Sequence, residues 1–373
     1  MTTKARYLLF AALLAGAAAV LVFQVKAGAP PPVLRVKLAE LHAETVTIKG
    51  HAVKWRGSRK YRLEGRARIR FQKGRLYFNG HAQSLPLRVY GGDSVSIDGE
   101  AFRGDLLVTD SRPPLLINLV DAESYVAGVI NQEIDSRWPE AAVDAQSILA
   151  RSYALKRKKE RAGKSYDLDR TVHDQVYGGL AAEDELSRAS AKRTRGMVLS
   201  YKGETASGHY HSCCGGRTEL PGEVWDGENA PYHKSVKCNH CREAPRYFWR
   251  FPEKGAVSGS KLASLLGTKK RVQDIKITET TGTGRAGTLA VRTRGRNHRF
   301  SGNEFRRRTG YERIRSTSFR VDREEEGFVF RGSGAGHGVG MCQWGAKGLA
   351  KKGRSARQIL EFYFPGTGVT ELY

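Results

Sequence analysis

A chain of 373 residues that is 40% hydrophobic, with 5 Trp, 15 Tyr and 14 Phe, has material for about two packed domains, which excludes a disordered protein. Its 63 Lys and Arg against 38 Asp and Glu give a formal charge of +25, so a lasting partner is anionic: nucleic acid, anionic lipid or a cell-wall polymer.

The N-terminus narrows that choice. Lys4 and Arg6 precede an uninterrupted apolar run over residues 7–23, the pattern of an export signal. No polar face breaks the run, which speaks against a buried helix of a cytoplasmic protein. Its length lies between a cleaved signal peptide and a membrane anchor. Ala27-Gly28-Ala29 resembles a cleavage site, whereas Pro30-Pro31-Pro32 suits a stiff spacer behind a retained anchor, the reading favoured here. Residues 1–32 are therefore the signal or anchor, the rest is exported to the cell envelope, and nucleic acid drops out as a partner.

Residues 33–115 alternate in short bursts, among them ETVTIKG, YRLEGRARIRF, RLYFNG and LPLRVYGG, mostly closed by Gly or Asn-Gly. That pattern predicts a β-rich module of hairpins whose outward Arg and Lys form a solvated face. From residue 116 to 373 the chain mixes helix and strand, so the fold class is α+β, with a core expected to form a cleft. LLINLVDAESYVAGVINQEI begins as a strand and passes, with Asp121 as N-cap, into a helix. A second helix starts at Pro139, and a further helix (AAEDELSRASAKRTRG) and strand (GMVLSYKG) follow. Residues 244–320 hold more strand and helix around KLASLLGTKK and SGNEFRRRTGYERI, and the C-terminal part is a Gly-rich loop running into a helix.

On the first of these helices Tyr125, Val126, Val129, Ile130 and Glu133 share one face, with Glu133 near the C-terminal end. Burial and the negative end of the helix dipole both disfavour its charged form, so its pKa is expected to rise. A carboxyl protonated near neutrality is a general acid; the competing reading is an ion pair with a buried arginine such as Arg151, and spacing alone favours the ion pair. Asp135 faces elsewhere and reads as a local cap. Cys238 and Cys241 form a C-x-x-C, and Cys213 and Cys214 follow His209 and His211. Two readings stand level: a structural zinc on Cys214, Cys238, Cys241 and His211, or one or two disulfides.

The string LLINLVDAESYVAGVINQEIDSRWPEAAVDAQSILARSYAL closely resembles the core block of the stage II sporulation protein D / LytB (SpoIID/LytB) family. YDLDRTVHDQVYGG, HYHSCCGGRTELPGEVW and GAGHGVGMCQWGAKGLA resemble three further blocks in the family's order, so the likeness spans roughly residues 35–370. It implies a peptidoglycan-active protein: a lytic transglycosylase cutting glycan strands stripped of stem peptides, with Glu133 as acid and then base and no cofactor required for catalysis. The family also contains amidase enhancers of LytB type, so the alternative is a non-catalytic wall-binding protein whose partner is a cell-wall amidase. The resemblance reverses the weighting at Glu133 in favour of catalysis. It adds Arg151, Tyr153, Gln175, Tyr177, His211, Ser212, Gly215, Gly216, Thr218 and His337 as substrate-binding candidates. Tyr177 and His337 read equally well as core packing and loop fixation, and Trp344 as core. Some relatives carry cysteines where Asp169 and Asp174 stand, which argues against a metal there; Cys342, often Ser in the family, reads as a small buried residue.

Overall fold

The computed structural model describes residues 28–42, 44–225, 227 and 229–373, so the export segment lies, up to residue 27, outside the described part. Among the described residues no helix is long and apolar enough to cross a membrane. The N-terminal bursts fold as expected. In Arg66–Gln72 the alternation turns Ala67 and Ile69 inward and Arg66, Arg68 and Arg70 outward. A six-stranded sheet runs in the order Glu100–Phe102, Val95–Ile97, Thr45–Lys49, Arg66–Gln72, Arg75–Phe78, His81–Gln83. A seven-stranded sheet follows the order Leu168–Asp169, Val33–Glu40, Leu115–Asp121, Asp105–Val108, Leu87–Tyr90, Ala52–Trp55, Tyr61–Arg62. The inward residues of both sheets, such as Val36, Ile48, Ile69, Val89 and Leu106, belong to one apolar core.

That core is completed by the first helix, α1 (Ala122–Glu133), which continues directly from Leu115–Asp121. Asp121 caps it by accepting from the amides of Glu123 and Ser124 (3.0 Å each), satisfying donors the helix start leaves free. Tyr125, Val126, Val129 and Ile130 are buried beneath it. The second helix, α2 (Glu140–Glu160), has Pro139 at its N-cap and is buried on two faces. Val143, Ala150 and Ala154 join the first core, while Ala142, Ala145, Ile148 and Leu149 join a second with Met341, Leu349, Leu360 and all five cysteines. A helix so placed fixes the two cores relative to each other.

The remaining helices are α3 (Glu185–Arg193), α4 (Gly259–Leu266), α5 (Gly302–Thr309), α6 (Gln343–Lys351) and α7 (Ala356–Tyr363). Residues between Trp249 and Phe330 enclose a third core under α4, α5 and two three-stranded sheets. Helices and multi-sheet β structure together give the α+β class expected from the sequence.

Arg151 lies fully buried in α2, but its partner is not Glu133. Its guanidinium is paired with Glu123 in the first turn of α1 (2.6 Å), and its second amino group donates to the Met197 carbonyl (3.0 Å). Tyr373 also donates to Glu123 (2.7 Å), so the pair ties α1, α2 and the C-terminus together. Removing one member leaves an uncompensated buried charge, a cost of about 3–5 kcal/mol. Arg151→Met is expected to lower unfolding stability by about that amount, read as a shift of the urea midpoint, with a lesser loss for the double variant Glu123→Gln/Arg151→Met.

Candidate active site

The site forms where α1 ends. Glu133 is the last residue of α1 and half-buried, so desolvation raises its carboxyl pKa above the ordinary value. Hydrogen bonds from Tyr210 and Gln343 work the other way by favouring the carboxylate, and burial prevails. The direction of the Tyr210 bond follows from its neighbours. Tyr125 Oη donates to Gln175 Oε1 (3.1 Å), and Gln175 Nε2 donates to Tyr210 Oη (2.9 Å). Tyr210 thus accepts from Gln175 and keeps its own proton for Glu133.

A short parallel pairing brings Tyr210 here. Tyr210–His211 lies beside Met341–Cys342, with the Met341 amide donating to the His209 carbonyl at 2.9 Å. The approach requires Gly340: its φ is +71°, and a Cβ there would meet the His209 carbonyl oxygen at 2.1 Å. Gln343, first residue of α6, follows at once and hydrogen-bonds Glu133 as well.

A cavity of about 440 Å³ opens beside Glu133, lined also by Tyr153, His173, Gln175, His209, Tyr210, Trp225 and His337. Trp225 is 43% exposed, and its ring lies 4.9 Å from those of both His209 and His337. A neighbouring cavity of about 420 Å³ shares Tyr153, His209 and Trp225 and adds Lys156, Arg157 and His233. A larger concavity of about 910 Å³ lies among Thr47, His51, Arg66 and Asp98 in the β-rich part, and Glu133 is not among its lining residues.

Three histidines at the site are held neutral. Burial depresses His209 to about 4 and His211 to about 3, and takes His337 well below its usual value. The tautomer of His337 is fixed, because Nδ1 accepts from the Val339 amide (3.1 Å) and Nε2 therefore donates to the Tyr210 carbonyl (2.9 Å). The other carboxylate in the cavity wall, Asp174, is neutralised by Arg157 (3.1 Å) and Arg161 (2.7 Å) and accepts from Tyr153 (2.8 Å). Two guanidinium groups on one carboxylate leave no charge to attract a cation. Glu133 is the cavity carboxylate without a cationic partner.

The structure gathers Glu133, Tyr153, Gln175 and His337 around this space and sends other candidates elsewhere. Arg151 belongs to the Glu123 ion pair. Tyr177 is 1% exposed, its ring packed at a tilt against those of Tyr125 and Phe102, with its hydroxyl on Asn118 (3.1 Å), so it is core. His211 is buried behind the pairing, bonded through Nδ1 to the Val339 carbonyl (3.0 Å). Ser212, Gly215, Gly216 and Thr218 form the turn behind it: Ser212 accepts from the Trp344 amide, Gly216 from that of Cys238 and Thr218 from that of Val236. Those four residues hold backbone and do not line the cavity. Asp135 is confined to Arg137, which lowers it to about 2.

Tyr210, His209, Trp225 and Gln343 are site residues that pattern reading passed over. A signal was present for Tyr210: in a two-residue strand, a buried His211 turns its neighbour to the opposite side. Trp225 and Gln343 reach the site only through loops joined by tertiary contacts.

Fold and site together define an α+β protein with a cavity in which one carboxyl, Glu133, lacks a cationic partner. Residues 113–201 match the family model described as Stage II sporulation protein, SpoIID, and residues 238–340 match a domain of unknown function. An uncharacterized protein of Brachyspira hyodysenteriae is 29% identical over 287 residues, covering 75% of each chain. The stage II sporulation protein D of Bacillus subtilis is 27% identical over 267 residues, 68% of this chain and 75% of that protein. The amidase enhancer of Bacillus subtilis is 27% identical over 288 residues, 65% of this chain but only 40% of that protein's length. These matches support a place for the chain among proteins of the SpoIID/LytB family, with residues 113–201 as the part the family model covers.

Removing the Tyr210 hydroxyl withdraws a hydrogen bond that favours the carboxylate. Tyr210→Phe is therefore expected to raise the Glu133 pKa further, measured by NMR titration of a ¹³C-labelled glutamate carboxyl, with Glu133→Gln identifying the resonance.

Proposed function

We propose that this protein is a lytic transglycosylase acting on the MurNAc-GlcNAc strands of peptidoglycan in the cell envelope. The observation that carries the reading is Glu133: a carboxyl with raised pKa, free of any cationic partner, in a cavity whose other carboxylate is neutralised. A hydrolase of the usual kind needs a second carboxylate to activate water or to attack the sugar. One suffices when the nucleophile is a hydroxyl of the substrate. Glu133 gives its proton to the bridging glycosidic oxygen as that bond breaks, and an oxocarbenium-like centre develops at the muramic C1. The resulting carboxylate, steadied by Tyr210 and Gln343, takes the proton of the muramic C6 hydroxyl as its oxygen bonds to C1. The product is a 1,6-anhydro end, and Glu133 is again protonated. Trp225 offers its face to a pyranose ring, and Tyr153, Gln175 and His337 offer polar edges to sugar hydroxyls.

The positive charge of the chain suits an anionic wall polymer, and the N-terminal apolar segment would hold the protein on the outer face of the membrane. Substrate strands are those denuded of stem peptides. The relative named as an amidase enhancer supports a second reading, a wall-binding protein that assists an amidase.

Purified protein incubated with denuded glycan strands is expected to yield 1,6-anhydro ends by mass spectrometry. Glu133→Gln should lower that rate by about 10²–10⁴-fold with unchanged circular dichroism. Wall sedimentation without cleavage, equal in both proteins, would favour the enhancer reading. The first step needs protonated Glu133, a form present below its pKa and lost above it. The descending limb of the rate profile is accordingly expected at higher pH than an ordinary carboxylate gives, and higher again in Tyr210→Phe.

A further inference from the structure

Away from the cavity, four thiols meet in the second core. The sulfurs of Cys214, Cys238, Cys241 and Cys342 all lie within 4.8 Å of one another, and all four residues are buried. They are unpaired thiols, and this is the one such ligand group among the described residues. A zinc ion with bonds of about 2.3 Å places four sulfurs about 3.8 Å apart, so the cluster needs only a small contraction to become a tetrahedron. His211, the fourth ligand expected from sequence, is not in the group; Cys342 replaces it. The pairing of Tyr210–His211 with Met341–Cys342 delivers the sulfur of Cys342, while the ring of His211 turns to the Val339 carbonyl.

We propose that these four cysteines bind one structural zinc ion as a closed tetrathiolate site. The surroundings are built for thiolate. The amides of Cys214 (3.2 Å) and Gly345 (3.3 Å) donate to Cys342 Sγ, and Cys342 is itself the N-cap of α6, where the helix dipole favours negative charge. The Tyr363 hydroxyl lies 3.2 Å from Cys238 Sγ. Gly345 leaves room beside the cluster: a Cβ there would come within 2.8 Å of Cys238 Sγ and 2.0 Å of the Tyr363 hydroxyl. Arg285, 3% exposed, donates to the Cys214 carbonyl (2.6 Å), and its Nη1 has no hydrogen-bond partner. A cation so buried offsets the net negative charge of zinc with four thiolates.

Soft sulfur in tetrahedral array selects zinc or iron. Zinc fits a site with no open position and no redox task. The ligands come from three separate stretches of chain, and two of them adjoin the machinery around Glu133: Cys342 precedes Gln343, and Cys214 follows the strand bearing Tyr210. The ion would hold those stretches together. This inference does not depend on the glycan-cleaving reading.

The full chain, purified without reductant, is expected to contain one zinc per molecule by plasma mass spectrometry. Intact mass after denaturation should show no loss of thiol hydrogens. Exchange with Co²⁺ should give the strong thiolate charge-transfer absorption of a four-sulfur site. Cys342→Ser should lose most of the zinc, while His211→Gln and Cys213→Ser keep it. Disulfide masses without metal, iron in place of zinc, or zinc lost in His211→Gln but kept in Cys342→Ser would each overturn the proposal. Should Cys342→Ser fail to fold, the cobalt spectrum of the unaltered protein decides, since a band too weak for four thiolates has the same adverse force.

Discussion

A parallel ladder of two residue pairs, Tyr210 with Met341 and His211 with Cys342, is the constraint on which the site depends. It joins segments that are about 130 residues apart along the chain, so its closure is entropically costly and the neighbourhood must compensate. Much of the compensation is visible. The backbone of Cys213 exchanges two hydrogen bonds with Ala335, Gly340 removes the side chain that would block the approach, and apolar groups from α2, α6 and α7 are buried beneath. Without the ladder, Glu133 would remain at the end of α1 but would lose Tyr210 and Gln343.

Around Glu133 two opposing effects meet, and burial prevails. Removal from water favours the acid, and two hydrogen-bond donors favour its anion. A group meant only to stabilise the fold would have been given a cation, as Glu123 is given Arg151 and Asp174 is given Arg157 and Arg161. The contrast between these three acids, within one framework and with arginine abundant throughout the chain, sets Glu133 apart more clearly than burial does.

Local features were legible from sequence. The Asp121 cap, the Pro139 start and the alternation in Arg66–Gln72 are decided by neighbours within a turn or a strand, and the structure reproduces them. The position of Glu133 on an apolar face belongs to the same class of information. Pairing between distant segments does not. Periodicity cannot say that Arg151 meets Glu123 rather than Glu133, or that Cys342 enters the thiol cluster while His211 turns away, because both outcomes are settled by the register of loops. Gly215 and Gly216, substrate-binding candidates by resemblance, instead serve a turn beside the C-x-x-C.

The neutral histidines have a consequence for proton traffic. Burial keeps His209 and His337 uncharged and Asp174 is committed to its arginines, so among the buried groups of the cavity wall Glu133 is the carboxyl left to exchange a proton. Under the proposed reaction, the proton lent to the glycosidic oxygen returns from the substrate's own hydroxyl, so one turnover restores the site.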